Sequence, residues 1–155
     1  MTQTNKKGFT IIEVVLVLAI AGLIFAMVFI ALPALQRNQR DTARRNDAST
    51  VSAAVNSYRS NNKSLAGMNS GKLQSYVDKL DQYEKTNIVV KPRATSDQTI
   101  GDNEIAVFPQ TKCNGAADPG GRAKLTGGTS RQAAVVVRLE NTGASDKFIN
   151  HCVDV

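Results

Sequence analysis

The stretch Lys6-Lys7-Gly8-Phe9-Thr10-Ile11-Ile12-Glu13 carries the strongest chemical signal in this sequence. Two positive charges and a glycine stand directly before a long apolar run, and one carboxylate, Glu13, stands inside it. A lone carboxylate in hydrocarbon costs roughly 2.5–3.5 kcal/mol on insertion scales, so such a group marks a function and needs a specific partner. Another copy of this chain is the partner that fits.

Two other local sets could do chemistry. His151, Cys152 and Asp154 have the residue types of a nucleophilic site. A Cys-His enzyme needs those groups facing each other across a cleft. Adjacent residues of a strand point to opposite faces, and a disulfide would consume the thiol. Asp97, Asp102 and Glu104 fall in one loop, where carboxylates could meet calcium. They match no EF-hand spacing, and acidic loop residues usually face water. No phosphate-binding glycine loop, dinucleotide fingerprint or zinc spacing occurs. The sequence therefore nominates no catalytic residue, no metal site and no cofactor, and it points away from an enzyme.

Charge and composition narrow the partners. The chain has 155 residues, with 19 Lys+Arg against 13 Asp+Glu and a formal charge of +6. Aromatic residues make up only 5% and Trp is absent, a thin supply of stacking groups for single-stranded nucleic acid. The basic excess is diffuse and supports weak attraction to DNA or to anionic lipid rather than a dedicated site. The only cysteines are Cys113 and Cys152. On the exported side of a membrane such a pair reads as one disulfide, with two packed free thiols as the alternative. A bridge closing that loop would contribute roughly 3–4 kcal/mol in the chain-entropy model.

The element that must carry Glu13 is a helix. From Phe9 to Leu35 Glu13 is the only formal charge. Those residues would span about 40 Å as a helix, enough to cross a bilayer with some tilt. A secretory signal peptide has a shorter core followed by a small-x-small cleavage site. A plain anchor explains the length but leaves Glu13 without a reason. Lys6 and Lys7 precede the span, while Arg37, Arg40, Arg44 and Arg45 follow it, so flanking charge alone does not orient it. A disulfide in the C-terminal part places that part outside. Gly22 and Pro33 interrupt the run and give it a place to bend or locally unwind.

Lys-Lys-Gly-Phe-Thr-Ile-Ile-Glu followed by such a run resembles the prepilin signature of type IV pilins and their pseudopilin relatives. The resemblance covers about the first 30 residues. It implies that a membrane prepilin peptidase cuts between Gly8 and Phe9, methylates Phe9, and relies on the leader charges Lys6 and Lys7. It also implies that Glu13 pairs with the Phe9 amine of a neighbouring subunit during assembly. An intrachain pair with its own Phe9 amine is the alternative. In similar pilins the stretch between such a glycine and proline can melt in the filament. Here Pro33 falls about three residues later than is usual there, which bears on melting of residues 23–32.

Beyond the membrane, Leu35, Thr42/Ala43, Val51, Ala54/Val55 and Tyr58 recur near the helical period and predict a helix to Asn61-Asn62. Arg37, Arg40, Arg44, Arg45, Asp41 and Asp47 are expected on its other face, with Asp41 and Arg45 at an i,i+4 spacing. That arginine cluster reads as lipid-facing, as pairing with neighbouring subunits, or simply as a solvated face. Asn61 to Gly71 reads as a loop. Leu73, Tyr76, Val77 and Leu80 predict a short helix. Ile88–Lys91, Ile105–Phe108, Ala133–Leu139 and Phe148–Val153 predict strands, with a glycine-rich loop over Asn114–Thr129.

The expected fold is α+β: a long N-terminal helical spine, transmembrane in its first half, packed on a small antiparallel β-sheet head. The expected divisions are a leader at 1–8, a transmembrane and assembly half at 9–35, an outer half at 36–62, and a head at 63–155 with a D-region at 113–152. The resemblance implies a pilus subunit that passes from the cytoplasmic membrane to a surface filament. Its partners would be itself, prepilin peptidase, an assembly platform and motor ATPases, and its roles adhesion, twitching motility and DNA uptake. A minor pilin or a type II secretion pseudopilin is the alternative, and a single-pass DNA-binding receptor is a third reading.

Overall fold

Leu, Ile, Ala and Val dominate residues 11–35, and a run without a polar side gives a helix that is apolar all round. The computed structural model describes residues 8–115, 121–140 and 148–155, so Lys6 and Lys7 lie outside the described residues. The chain divides into two units, Met1–Gln36 and Arg37–Val155. Helix α1 (Ile11–Asn62) is continuous through Gly22 and Pro33. In the first unit its large side chains are bare on every side, with Phe29 74% exposed and Leu18 65%. A helix of that kind has to be buried in something, either hydrocarbon or other helices. It is long and apolar enough to cross a membrane.

In the second unit the same helix becomes one-sided. Ala48, Val51, Ala54, Val55 and Tyr58 face a core, at the spacing of one helical stripe. The helix ends at Asn62, and Lys63 takes the left-handed conformation (φ 59°) that commonly follows a last turn.

That stripe packs on a four-stranded sheet in the order β1 (Ile88–Val90), β2 (Ile105–Pro109), β5 (Ala133–Leu139), β6 (Ile149–Asp154). Ala133, Val135, Val137 and Leu139 of β5 join the core under α1, together with Ile105 and Val107 of β2. The alternate residues Ala134 and Val136, with Ala106 and Phe108, build a second core on the opposite face with Ile100, Ala123 and Leu125. The two central strands are thus buried on both faces, which is why β5 reads as an unbroken apolar run rather than an alternation.

Three features differ from the sequence expectations. The sheet is mixed: β2, β5 and β6 are antiparallel, but β1 runs parallel to β2 with Ile88 opposite Ile105. Parallel neighbours need a crossover, and residues 91–104 supply it. The short helix α2 covers only Ser70–Gln74, capped by Asn69, whose Oδ1 accepts from Lys72 N at 2.9 Å. It does not reach Leu80, because the N–H groups of Asp81, Gln82 and Tyr83 are drawn onto the carboxylate of Asp47 at 2.5, 2.7 and 2.9 Å. Leu73 and Val77 still reach the core. The region read as one loop over 114–129 contains strand β4 (Leu125–Gly127), which pairs with β3 (Thr111–Cys113) in a separate two-stranded sheet. Strands this short carry too few alternating positions to stand out in sequence. Residues 116–120 of that loop lie outside the described residues.

The Cys113–Cys152 disulfide ties β3 to β6, with Cα atoms 6.0 Å apart, and Asp154 Oδ1 accepts from Cys113 N at 2.7 Å beside it. Reducing the bridge in the full-length protein should lower its unfolding free energy by roughly 3–4 kcal/mol. A urea titration with and without reductant reads this directly, and coincident curves would show that the sheet holds β6 without the bond.

Candidate functional site

Glu13 sits in the first turn of α1 and does not stand alone. Thr10 is the residue before the helix, and its backbone N donates to Glu13 Oε2 at 2.8 Å. The Thr10 hydroxyl donates to the same oxygen at 2.9 Å, and Glu13 N lies 3.4 Å from that hydroxyl. This is a capping box: the residue before the helix and the third residue in it satisfy each other's otherwise orphaned donors. Thr10 O also accepts the first helical hydrogen bond, from Val14 N at 3.4 Å. In this precursor chain Phe9 still follows Gly8 in peptide linkage. The first partner of Glu13 is therefore Thr10, not the nitrogen of Phe9. The signal for this was present as Thr-x-x-Glu before an apolar run.

Gly8 and Phe9 precede the helix and are exposed, with Phe9 bare over 90% of its surface. The Phe9 ring, Glu13, Val14, Val17 and Leu18 line a shallow recess of about 370 Å³. Gly22 has nothing within 4 Å of where a Cβ would stand, so its lack of a side chain serves no contact inside the chain.

The charged residues that follow the span were expected on the face of the helix away from the core, facing lipid, neighbouring subunits or water. Asp41, Arg44 and Asp47 are instead buried. Arg40 binds Glu140 Oε2 through Nε at 3.0 Å and Nη2 at 2.7 Å. Arg44 Nη2 binds Glu140 Oε1 at 2.7 Å, and its Nη1 reaches the carbonyl of Arg138 at 3.3 Å. Asp41 Oδ1 accepts from Glu140 N at 2.7 Å and lies 3.8 Å from Arg44, so its charge partner is Arg44 rather than Arg45. The network clamps α1 onto the end of β5. The hydrogen bond from Arg40, together with both guanidinium charges, holds the Glu140 carboxyl below its ordinary value despite partial burial.

The remaining candidates are occupied structurally. Glu104 pairs with Lys91 at 2.5 Å and accepts from Gly101 N at 3.0 Å. Asp102 pairs with Arg138. Among the described residues no group of three acidic, His or Cys side chains converges on a cation position. Cys152 is bonded to Cys113, Asp154 holds the Cys113 N–H, and burial with the nearby Arg45 charge pushes the His151 pKa down.

Comparison with protein families finds the prokaryotic N-terminal methylation motif at residues 3–29. Comparison with curated proteins and with solved structures gives no significant match. The motif supports a pilin-like or pseudopilin-like prepilin, and the apolar helix behind it fits a membrane anchor.

Two variants test the geometry. Thr10→Val removes the cap hydroxyl and should cost the helix start about 1 kcal/mol, seen as roughly fivefold faster amide exchange at residues 12–14 in detergent. Glu140→Gln should flatten the acid side of the stability curve. A carboxylate with a lowered folded pKa stabilises fully above its unfolded value and loses that contribution as pH falls through the folded one. The wild type should therefore lose stability from its ordinary value of 4.5 downward, and the variant should lose less across that window.

Proposed function

We propose that this chain is a structural subunit of a type IV pilus. It is made as a single-pass membrane prepilin, cut between Gly8 and Phe9 by a prepilin peptidase that meets the leader charges Lys6 and Lys7, and methylated at Phe9. Residues 9–35 then polymerise in the core of a helical surface filament, residues 36–62 carry the outer half of the spine, and residues 63–155 form the head with its bridged region 113–152. Assembly platform and motor ATPases are the further partners, and adhesion, twitching motility and DNA uptake are the roles of the polymer.

The observation that carries this reading is the methylation motif joined to a helix that leaves its apolar side chains bare all round. Once such a helix leaves lipid it needs other apolar helices around it, and sister copies supply them at one fixed offset. Cleavage turns the amide of Phe9 into an ammonium, the nearest cation to Glu13 that the process creates. A charge pair of this kind is far stronger in a low-dielectric bundle than in water. The pair between Glu13 and a neighbour's Phe9 amine then sets the axial offset, and Gly22 and Pro33 allow the spine between them to loosen.

Mass spectrometry of assembled material should find a chain that starts at methylated Phe9; a retained leader in filaments would contradict processing. Glu13→Ala should leave membrane insertion intact. It should lower filament yield by about two orders of magnitude, the effect of losing one buried charge pair worth on the order of 3 kcal/mol. Filaments at wild-type yield from this variant would remove Glu13 from assembly.

A further inference from the structure

The second unit holds a cavity of about 570 Å³ lined by Arg37, Arg44, Arg138, Asp102, Glu140 and Phe148. Its charges do not cancel. Glu140 is shared between Arg40 and Arg44, Asp41 lies against Arg44, and Asp102 is taken by Arg138. Arg37 is exposed and has no ion-pair partner among the described residues. Two buried donors, the Nε atoms of Arg44 and Arg138, lack an acceptor, and two buried acceptors, Asp41 Oδ2 and Asn150 Oδ1, lack a donor. Arg138 lies 3.6 Å from the centroid of the Phe148 ring, so one wall of the cavity is a cation stacked on an apolar face. Among the described residues Arg37 is therefore the lining cation left without a carboxylate, beside a space large enough for a polyoxygen anion, and planar guanidinium forks suit phosphate oxygens.

We propose that this cavity binds the phosphate diester of an anionic lipid headgroup. The position of Arg37 in the chain selects the source of the phosphate. Arg37 follows Leu35, the last apolar residue of the span, with only Gln36 between them. Residues at such a boundary enter the headgroup layer, about 5–8 Å deep on each side of the hydrocarbon. Basic side chains there are attracted to anionic lipid by about 1 kcal/mol each. Phe148 gives the glycerol and first acyl carbons an apolar surface, which a free inorganic anion would not use. A headgroup held this way retains the subunit in the membrane, and leaving the bilayer requires its release. The proposal rests on the membrane span and not on polymerisation, so a chain that never formed filaments would still show it.

The test uses the full-length chain in maltoside micelles, followed by the arginine Nε–H resonances. Dihexanoyl phosphatidylglycerol should shift the Arg37, Arg44 and Arg138 signals saturably, whereas dihexanoyl phosphatidylcholine and inorganic phosphate should not at the same concentration. Arg37→Gln should weaken phosphatidylglycerol binding about fivefold. Arg45→Gln removes the same charge from an exposed position of α1 outside the cavity lining and should leave binding unchanged. Equal weakening by both variants would reduce the effect to diffuse surface charge and overturn the site. Inorganic phosphate binding as tightly as the lipid would overturn the lipid as its ligand, and spectra indifferent to phosphatidylglycerol would overturn both.

Discussion

A carboxylate at the start of an apolar helix must find hydrogen-bond donors wherever that helix goes, because hydrocarbon offers none. In the precursor the donors come from the backbone and hydroxyl of Thr10, three residues earlier. The same contacts satisfy the open amide end of α1, which any helix has to provide for. Glu13 thus serves the fold whatever part it takes in the proposed assembly. The start of α1 depends on it, and with that start the placement of Phe9 beside Glu13, Val14 and Val17 around one recess.

Further along α1 the constraint reverses. In the second unit, the helix has a core to cover and the polar groups around it must be satisfied by the head. Asp47 does this for the N–H groups of residues 81–83, and in doing so ends the chance of a longer second helix. Asp41, Arg44, Arg40 and Glu140 do it at the end of β5. Burying charges brings little net stability when apolar residues of similar size could replace them, but breaking such a set is costly. Its structural effect is to fix which turn of α1 faces Glu140, a register that apolar packing alone would leave open to slippage.

What could be read from the sequence follows this division. The span was legible because a long run with one charge has few alternative meanings, and the strands β1, β2 and β5 because Val and Ile cluster there. The helix end at Asn62 and the Cys113–Cys152 bridge were legible for similarly local reasons. The direction of β1 was not, since strand polarity within a sheet depends on where residues 91–104 cross, not on Ile88–Val90 themselves. Nor was the burial of Asp41, Arg44 and Asp47, because a charged residue reads as solvated until its partner is known, and the partners lie up to about a hundred positions away. The cap at Thr10 is encoded locally, in its Thr-x-x-Glu spacing to Glu13, but the same carboxylate also calls for a cation, and the sequence does not rank the two partners.

The cap also explains why leader removal would matter to the proposed assembly. Thr10 serves one oxygen of Glu13, Oε2, but leaves its charge in place, because both donors are neutral. A hydrogen-bonded anion in hydrocarbon is less costly than a bare one, yet it still attracts any cation that arrives. While Gly8 and Phe9 are joined, the nitrogen of Phe9 is a neutral amide. Cutting the bond as proposed would create an ammonium there in every subunit. Its own helix is a poor place for it, since an N-terminus already carries the positive end of the helix dipole and a second positive charge there is disfavoured. The new ammonium is therefore better accommodated against the carboxylate of a neighbour displaced along the bundle, and the neighbour's Glu13 gains a countercharge that Thr10 does not provide. On this reasoning cleavage supplies the driving force for addition of the next subunit as well as permission for it.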